Sequence, residues 1–171
     1  MNFFLFMIAK ISKKYYILSM KVNIVCVGKI KEKFFTDAIN EYLKRLSRFA
    51  EMKIIEVDEA SNISNLEQKS KVEGERLLAK SSGVIVALDG GGKLLSSTEL
   101  ADFIHKKEIN GESTITFIIG GSNGLSNEVL ERSSLVLSFG KITFPHQLFR
   151  VVLTEQIYRA FTIIAGLPYH K

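Results

Sequence analysis

Two short segments contain the residue types from which a ligand pocket can be built. Residues 117–125 read FIIGGSNGL, and residues 138–147 read SFGKITFPHQ. In each segment a β-type apolar run ends in small residues that lead toward a helix, the arrangement in which open α/β sheets bind ligands at their strand ends. Glycines let backbone amides and carbonyls approach a ligand closely, and Ser122 and Asn123 add small polar groups. The two segments therefore predict a shared binding pocket.

A third segment of small residues, DGGGK at residues 89–93, follows the apolar run that ends at Leu88. Three such loops at successive strand ends would surround a flat heterocycle, with Leu88, Phe139 and Ile142 as apolar walls. Each loop taken alone is more often just a tight turn. Their recurrence favours a ligand site, and a ligand of the adenine nucleoside type, without phosphates, fits this description.

Several common cofactor and metal patterns are missing from the sequence. The phosphate-binding pattern G-x-x-x-x-G-K-[ST] does not occur, and residues 120–124 do not fit the dinucleotide pattern G-x-G-x-x-G. Neither a kinase nor a dehydrogenase is therefore predicted. The histidines at positions 105, 146 and 170 lack metal-ligand spacing, so no metal site is predicted. Cys26 lies inside an apolar run without a partner cysteine, which indicates a buried thiol in a reducing cytoplasm.

Composition predicts one domain with little global preference for nucleic acid. The chain has 171 residues, of which 46% are hydrophobic, enough for a core without disulfides or metals. Its net charge is +5, but without the three lysines at positions 10–14 the balance is 20 basic against 18 acidic residues. Any site for a polyanion must therefore come from local clusters, such as residues 29–33 or 44–48. For the second cluster, a solvated helix face is the favoured explanation.

Residues 1–19 form an N-terminal extension that is neither a typical membrane span nor a signal peptide. The apolar run at residues 3–9 is too short to cross a bilayer, and positive charge follows it instead of preceding it. Met20 directly precedes the first predicted strand. We therefore expect residues 1–19 to be a mis-assigned start or a disordered segment, and residues 20–171 to form a single domain. A membrane-associating N-terminal helix is the alternative.

From Lys21 onward β-type runs alternate with amphipathic stretches, which predicts an α/β fold with a mostly parallel sheet flanked by helices. Strands are predicted over residues 22–27, 53–57, 84–88, 114–119 and 135–139. Helices are predicted over residues 34–49, 65–80, 96–107, a short stretch after residue 126, and 145–165. The last helix is apolar nearly all round, so it must be buried on more than one side. This predicts a homodimer built on that helix, with a central core helix as the alternative.

Six short motifs together resemble a known family. They are VCVGK at 25–29, GKLLSS at 92–97, FIIGGSNG at 117–124, TFPHQ at 143–147, RVVL at 150–153 and PYHK at 168–171. In this combination, from Met20 to Lys171, the chain resembles the RlmH family, pseudouridine N3-methyltransferases of the SPOUT class that act on large-subunit ribosomal RNA. The resemblance implies a C-terminal trefoil knot that forms a pocket for S-adenosyl-L-methionine.

Carried over by position, the resemblance places cofactor contacts on eight residues: Leu88, Gly120, Phe139, Gly140, Lys141, Ile142, Thr143 and Phe144. Gly140 stands where we expect Ser or Ala in relatives. That replacement is expected to spare backbone contacts and to make the loop more flexible.

The activity implied by the resemblance is methylation at N3 of pseudouridine 1915 in 23S ribosomal RNA, on the assembled ribosome in the cytoplasm. The protein must align the two reactants and help remove the N3 proton, without a metal or a membrane. The candidates for these roles are His146, Arg150, Tyr169 and His170, the last two acting in the site of a dimer partner. The alternative is a noncatalytic ribosome-associated module that binds an adenosine-type ligand.

Overall fold

The computed structural model describes residues 20–170, so the expectations for residues 1–19 lie outside the described residues. The described chain alternates five strands with five helices. The strands are β1 Lys21–Val27, β2 Glu51–Val57, β3 Val84–Leu94, β4 Thr114–Ile119 and β5 Leu135–Ser138. The helices are α1 Lys33–Leu46, α2 Leu66–Ala79, α3 Ser97–Ile109, α4 Asn127–Glu131 and α5 His146–Ile164.

The five strands form one parallel sheet in the order β2-β1-β4-β3-β5. Because all pairs are parallel, the carboxyl ends of the strands meet at a single edge, where ligands bind in sheets of this kind. The predicted α/β fold with a parallel sheet and flanking helices is confirmed. The trefoil knot stays a prediction.

Helices cover both faces of the sheet. In β1, Val22, Ile24 and Cys26 pack into the core that β1 shares with α1, α3 and α5, while Val25 and Val27 pack into the core on the opposite face, toward α2 and α4. Side chains alternate between the faces of a strand, and both faces are covered, so the strand is apolar almost throughout. This is why β1 is a continuous apolar run in the sequence.

The predicted helices and strands are all present, with shifts of a few residues at their ends. The capping box that opens α3 is confirmed, since the Ser96 side chain accepts from the Glu99 amide and the Glu99 carboxylate accepts from the Ser96 amide. The largest difference is in β3, which was predicted to end at Leu88 but continues to Leu94.

The extension of β3 corrects the prediction of a simple loop at residues 89–93. Leu88 and Lys93 both pair with Leu137 of β5, so the residues between them form an irregular excursion from the strand. Gly92 permits this close return, because a Cβ at that position would be 2.7 Å from the backbone of Val136. The glycine run therefore lets the strand resume its pairing after the excursion.

The last helix, α5, packs against both α1 and α3. Leu153, Ile157 and Phe161 are fully buried along it. The predicted burial on more than one side is thus met within a single chain, and the homodimer stays a prediction. Within the described residues, no helix combines the length and the apolar character needed to cross a bilayer.

Candidate functional site

A cavity of about 530 Å³ lies at the carboxyl ends of β3, β4 and β5. It is where the parallel topology and the small-residue segments predict a pocket. All eight residues to which the resemblance carries cofactor contacts line it: Leu88, Gly120, Phe139, Gly140, Lys141, Ile142, Thr143 and Phe144. Residues far apart in sequence are therefore brought together in one concave site.

The first wall of the cavity is the turn at residues 120–124, which follows β4. The Gly124 amide donates to the Gly121 carbonyl over 3.1 Å, and Gly124 has a φ of +78°, a conformation that glycine adopts readily. A Cβ on Gly120 would lie 2.6 Å from the Gly124 carbonyl oxygen. The turn is therefore too tight for a side chain at residue 120, and peptide groups form this wall.

Behind this turn lies Glu73 of α2, a residue that sequence reasoning missed. The Glu73 side chain is buried, and its Oε1 accepts a hydrogen bond from the Ala60 amide over 3.0 Å. Its Oε2 has no hydrogen-bond partner in the described residues, and a Cβ on Gly121 would be 2.6 Å from it. The turn thus rests directly on a carboxylate. A glutamate in a polar helix carries no signal in the sequence that would predict this contact.

The second wall of the cavity is the segment from Ser138 to Phe144. The Ser138 hydroxyl donates to the Gly90 carbonyl and accepts from the Gly140 amide, each over 3.2 Å, which ties this segment to the excursion of β3. The φ of Gly140 is +106°, which L-residues rarely adopt. Gly140 therefore sets the path of the loop, an effect beyond the added flexibility expected from the sequence.

Aromatic packing supports this second wall. The rings of Phe139 and Phe144 contact Phe149 of α5, with centroid separations of 5.1 and 5.7 Å. Ile142 is 76% exposed at the mouth of the cavity. The wall therefore presents an apolar surface to a ligand and an uncovered apolar side chain to solvent.

Of the four predicted catalytic residues, His146 lines the cavity. It is the first residue of α5, directly after Pro145, and its side chain is exposed. An imidazole exchanges protons near neutral pH. His146 is therefore placed where it can contact a molecule that enters the cavity.

Arg150 lies outside the cavity lining and is almost completely buried. Its Nη1 donates to Glu56 Oε1 over 2.9 Å, and its Nη2 donates to the carbonyls of Val27 and Gly28 over 2.7 and 2.9 Å. These bonds join α5 to the carboxyl ends of β1 and β2. The geometry gives Arg150 a role in holding α5 in place, and sequence reasoning missed its partner Glu56.

Tyr169 and His170 lie beyond the opposite end of α5. The Tyr169 hydroxyl donates to Glu155 Oε1 over 3.1 Å, and its ring packs edge-on against Tyr158. Burial is the main cause that raises the pKa of the Tyr169 phenol, and contacts with Tyr42 and Glu155 add to it. Tyr169 thus folds back toward the middle of α5, and neither Tyr169 nor His170 lines the cavity of its own chain.

Metal ligation finds no support in the part of the chain that the structure describes. Residues 20–170 contain no group of three or more His, Cys, Asp or Glu side chains arranged to hold a metal ion.

Cys26 is fully buried, as predicted. Burial raises the pKa of its thiol to about 11, although the Arg150 charge opposes this.

Comparison with known proteins identifies relatives over nearly the whole described chain. A family profile described as "Predicted SPOUT methyltransferase" matches residues 20–170. A protein of Carboxydothermus hydrogenoformans named Ribosomal RNA large subunit methyltransferase H is 56% identical over 159 residues, which cover 89% of this chain and 100% of that protein. The protein of the same name from Oenococcus oeni is 52% identical over 160 residues, covering 89% and 99% of the two chains.

A solved structure of a probable methylase family protein from Haemophilus influenzae has the same fold. It aligns with a TM-score of 0.50 and 11% identity, over 88% of this chain and 70% of that one. This chain therefore combines a parallel sheet and a strand-end cavity with sequence similarity to SPOUT methyltransferases. The chain belongs to the SPOUT methyltransferases and, within them, to the RlmH family.

Proposed function

We propose that this chain transfers a methyl group from S-adenosyl-L-methionine to N3 of pseudouridine 1915 in 23S ribosomal RNA, on the assembled ribosome in the cytoplasm. The observation that carries the proposal is that all eight expected cofactor residues line one cavity at the carboxyl ends of β3, β4 and β5. Relatives about half identical in sequence that are named for large-subunit ribosomal RNA methylation support the same assignment.

The cavity fits the cofactor in size and in the chemistry of its walls. Its volume of about 530 Å³ lies within the range of small-molecule sites. Peptide groups of residues 120–124 and 139–144 would hydrogen-bond the polar edges of the adenosine, and Leu88, Phe139 and Ile142 would contact its apolar faces. When bound there, S-adenosyl-L-methionine supplies a methyl group on a positively charged sulfur, which is already activated for transfer.

The work left to the protein is to align the pseudouridine and to move its N3 proton. His146 lies in the cavity wall and is the candidate to accept that proton. Arg150 contributes by fixing the start of α5, on which His146 lies. The histidine thus acts on the reacting base, and the arginine positions the histidine.

A homodimer would complete this site. Tyr169 and His170 do not line the cavity of their own chain, and we place them at the cavity of a partner. Leu94 and Ile142 are exposed apolar side chains, and Ile142 is at the cavity mouth. A second copy that covers these side chains would deliver its own C-terminal residues to the site, which is the arrangement we propose.

The assembled ribosome is the substrate that suits this chain. From Lys21 onward the excess of positive charge is only +2, which is too little for strong binding to free RNA. A folded ribosomal surface offers a preformed loop that a small protein can recognise by shape.

The proposal is tested by nucleoside analysis of ribosomal RNA from a strain that lacks the gene. N3-methylpseudouridine should disappear from 23S RNA, return with the wild-type gene and stay absent with a Gly120→Leu variant whose folding has been checked by circular dichroism. Persistence of N3-methylpseudouridine in the deletion strain would overturn the proposal and favour a noncatalytic ribosome-associated module.

A further inference from the structure

The segment that follows β1 and the first two residues of α1 form an exposed surface of basic and aromatic side chains. We call Lys29, Lys31, Lys33 and Phe34 the basic-aromatic patch. All three lysines are exposed, and Phe34 is 62% exposed, with its ring 4.3 Å from that of Phe35. An isolated exposed apolar side chain is ordinary on a protein surface, but here it lies within a cluster of positive charge.

This patch is held against the first turn of α5. The Gln147 side-chain oxygen accepts hydrogen bonds from the amides of Lys31 and Glu32, over 2.7 and 3.2 Å. The Ile30 amide donates to Glu56 over 2.9 Å, the same carboxylate that binds Arg150. Gln147 directly follows His146, which lines the cavity. The patch is therefore fixed beside the cavity instead of lying on an independent loop.

Positive charge in the patch is only partly offset by nearby carboxylates. Lys33 pairs with Asp37 over 2.6 Å, but Lys29 and Lys31 form no ion pair within the described residues. Glu56 pairs with Arg150, and Glu59 pairs with Lys69 over 2.7 Å. Glu32, which is exposed between Lys31 and Lys33, offsets part of the positive charge. Lys29 and Lys31 are therefore the two patch lysines that are free to pair with a bound anion.

The patch combines two lysines that form no ion pair with an exposed aromatic ring. Proteins commonly bind single-stranded RNA through groups of these two kinds. Lysines neutralise backbone phosphates, and an aromatic ring stacks on an unpaired base whatever its sequence. We infer that the basic-aromatic patch binds RNA next to the target nucleotide, with Lys29 and Lys31 on phosphates and Phe34 stacked on an unpaired base. The inference rests on the proposed function, and it identifies the surface that holds the substrate outside the cavity.

The test compares three variants with wild-type protein on ribosomal particles from the deletion strain. The Lys29→Ala/Lys31→Ala variant removes the two free charges, and Phe34→Ala removes the ring. The control is Lys80→Ala/Lys106→Ala, which removes two exposed lysines near the ends of α2 and α3, at the sheet edge opposite the cavity. Methyl transfer is measured at several salt concentrations, and affinity for S-adenosyl-L-methionine is measured by calorimetry.

The Lys29→Ala/Lys31→Ala variant should raise KM for ribosomal particles about tenfold. It should also make the slope of log affinity against log salt concentration shallower by about 1.4, because two phosphate contacts are lost. Phe34→Ala should lower kcat/KM about tenfold without changing that slope. All variants should bind the cofactor as wild type does, and the control should match wild type throughout.

Two results would overturn the inference while leaving the proposed function intact. The first is that the patch variants show the same kinetic constants and salt slope as the control, under conditions in which the wild-type protein is active. The other is a loss of activity with an unchanged salt slope in the lysine variant, which would indicate a protein partner at this surface. Absence of methyl transfer by the wild-type protein would overturn the proposed function and the inference with it.

Discussion

Single glycines shape the cavity, because peptide groups form much of its walls. At Gly120 the limit is space, since a Cβ would meet the Gly124 carbonyl oxygen at 2.6 Å. At Gly140 the limit is conformation, since its φ is +106°. The two positions therefore respond to substitution for different physical reasons.

Substitution Gly120→Ala should weaken binding of S-adenosyl-L-methionine at least about tenfold, because the turn at residues 120–124 must move to admit the methyl group. Calorimetry measures this affinity. Gly91→Ala is the matched control, since a Cβ there meets only the Asp89 side chain, at 3.3 Å, and Gly91 lies outside the cavity lining. Equal affinity in both variants would contradict the description of this wall.

Burial of Cys26 makes stability depend on pH in the alkaline range. The folded thiol has a pKa of about 11, above the value of about 8.5 for an exposed thiol. Between these values the unfolded chain loses the proton while the folded chain keeps it, so stability falls as pH rises. From about pH 8 to pH 10.5, wild type should lose about 2 kcal/mol more than Cys26→Ala.

Urea unfolding at the two pH values measures this difference. A thiol reagent gives a second readout, since it should label Cys26 only after unfolding. Rapid labelling of the native protein at about pH 8, where an exposed thiol is partly ionised, would contradict the buried position.

At this scale, sequence reasoning found residues that line the cavity and missed side-chain contacts between residues far apart in the chain. The small-residue segments and the resemblance led to eight residues that line the cavity. The same reasoning placed Arg150 among substrate-contacting candidates, because its partner Glu56 is 94 positions away in the chain. A pairing of that kind depends on how helices dock on the sheet, which no local pattern encodes.

At the scale of elements, α5 joins the two regions in which the predicted catalytic residues lie. Its first residue, His146, lines the cavity, and the tail that follows its last turn carries Tyr169 and His170. Bonds from Arg150 to Glu56, Val27 and Gly28 fix the first of these regions against the sheet. The stability of this junction is therefore open to direct test.

Substitution Arg150→Met should lower the free energy of unfolding by about 3 kcal/mol, because it leaves Glu56 without its charged partner and removes the donor to two carbonyls. Urea denaturation gives the value. Arg132→Met is the control, since the pair of Arg132 and Glu128 is exposed, 3.6 Å apart and worth under about 1 kcal/mol. A loss no greater than that of the control would show that Arg150 does not hold α5.

Existence and type of the elements could be predicted from periodicity, because long apolar runs and amphipathic stretches are strong local signals. The continuation of β3 to Leu94 could not, since the run of glycines at residues 90–92 ordinarily marks the end of a strand. Pairing with β5 restores the strand there, and that pairing is a long-range interaction.

At the scale of the whole molecule, the half-buried face of α5 is the proposed dimer contact. Val152 lies there in a groove with Leu94, Phe139 and Phe144. In analytical ultracentrifugation, wild-type protein should have twice the mass of one chain. The Val152→Asp variant should be a monomer, because dimer formation would bury an unpaired charge at the contact. Ile109→Asp, at an exposed position on the opposite sheet edge, should leave the dimer intact. A monomeric wild type at micromolar concentration would contradict the proposal.

Parallel topology and a strand-end pocket follow from alternating elements, but a knot does not follow from any periodicity. Knots are so rare that physical reasoning from sequence argues against one, and only the resemblance implies it. The parallel sheet is therefore predicted from the sequence pattern, whereas the knot is predicted only from the family resemblance.

The proposed function requires the cavity to bind S-adenosyl-L-methionine for methylation of ribosomal RNA. Its most direct test is to incubate purified protein with methyl-labelled S-adenosyl-L-methionine and ribosomes from the deletion strain, then to analyse the labelled nucleosides. We predict label in N3-methylpseudouridine of 23S RNA, greatly reduced with Gly120→Ala and with naked RNA. Absence of label from that nucleoside, or equal labelling by Gly120→Ala, would contradict the account.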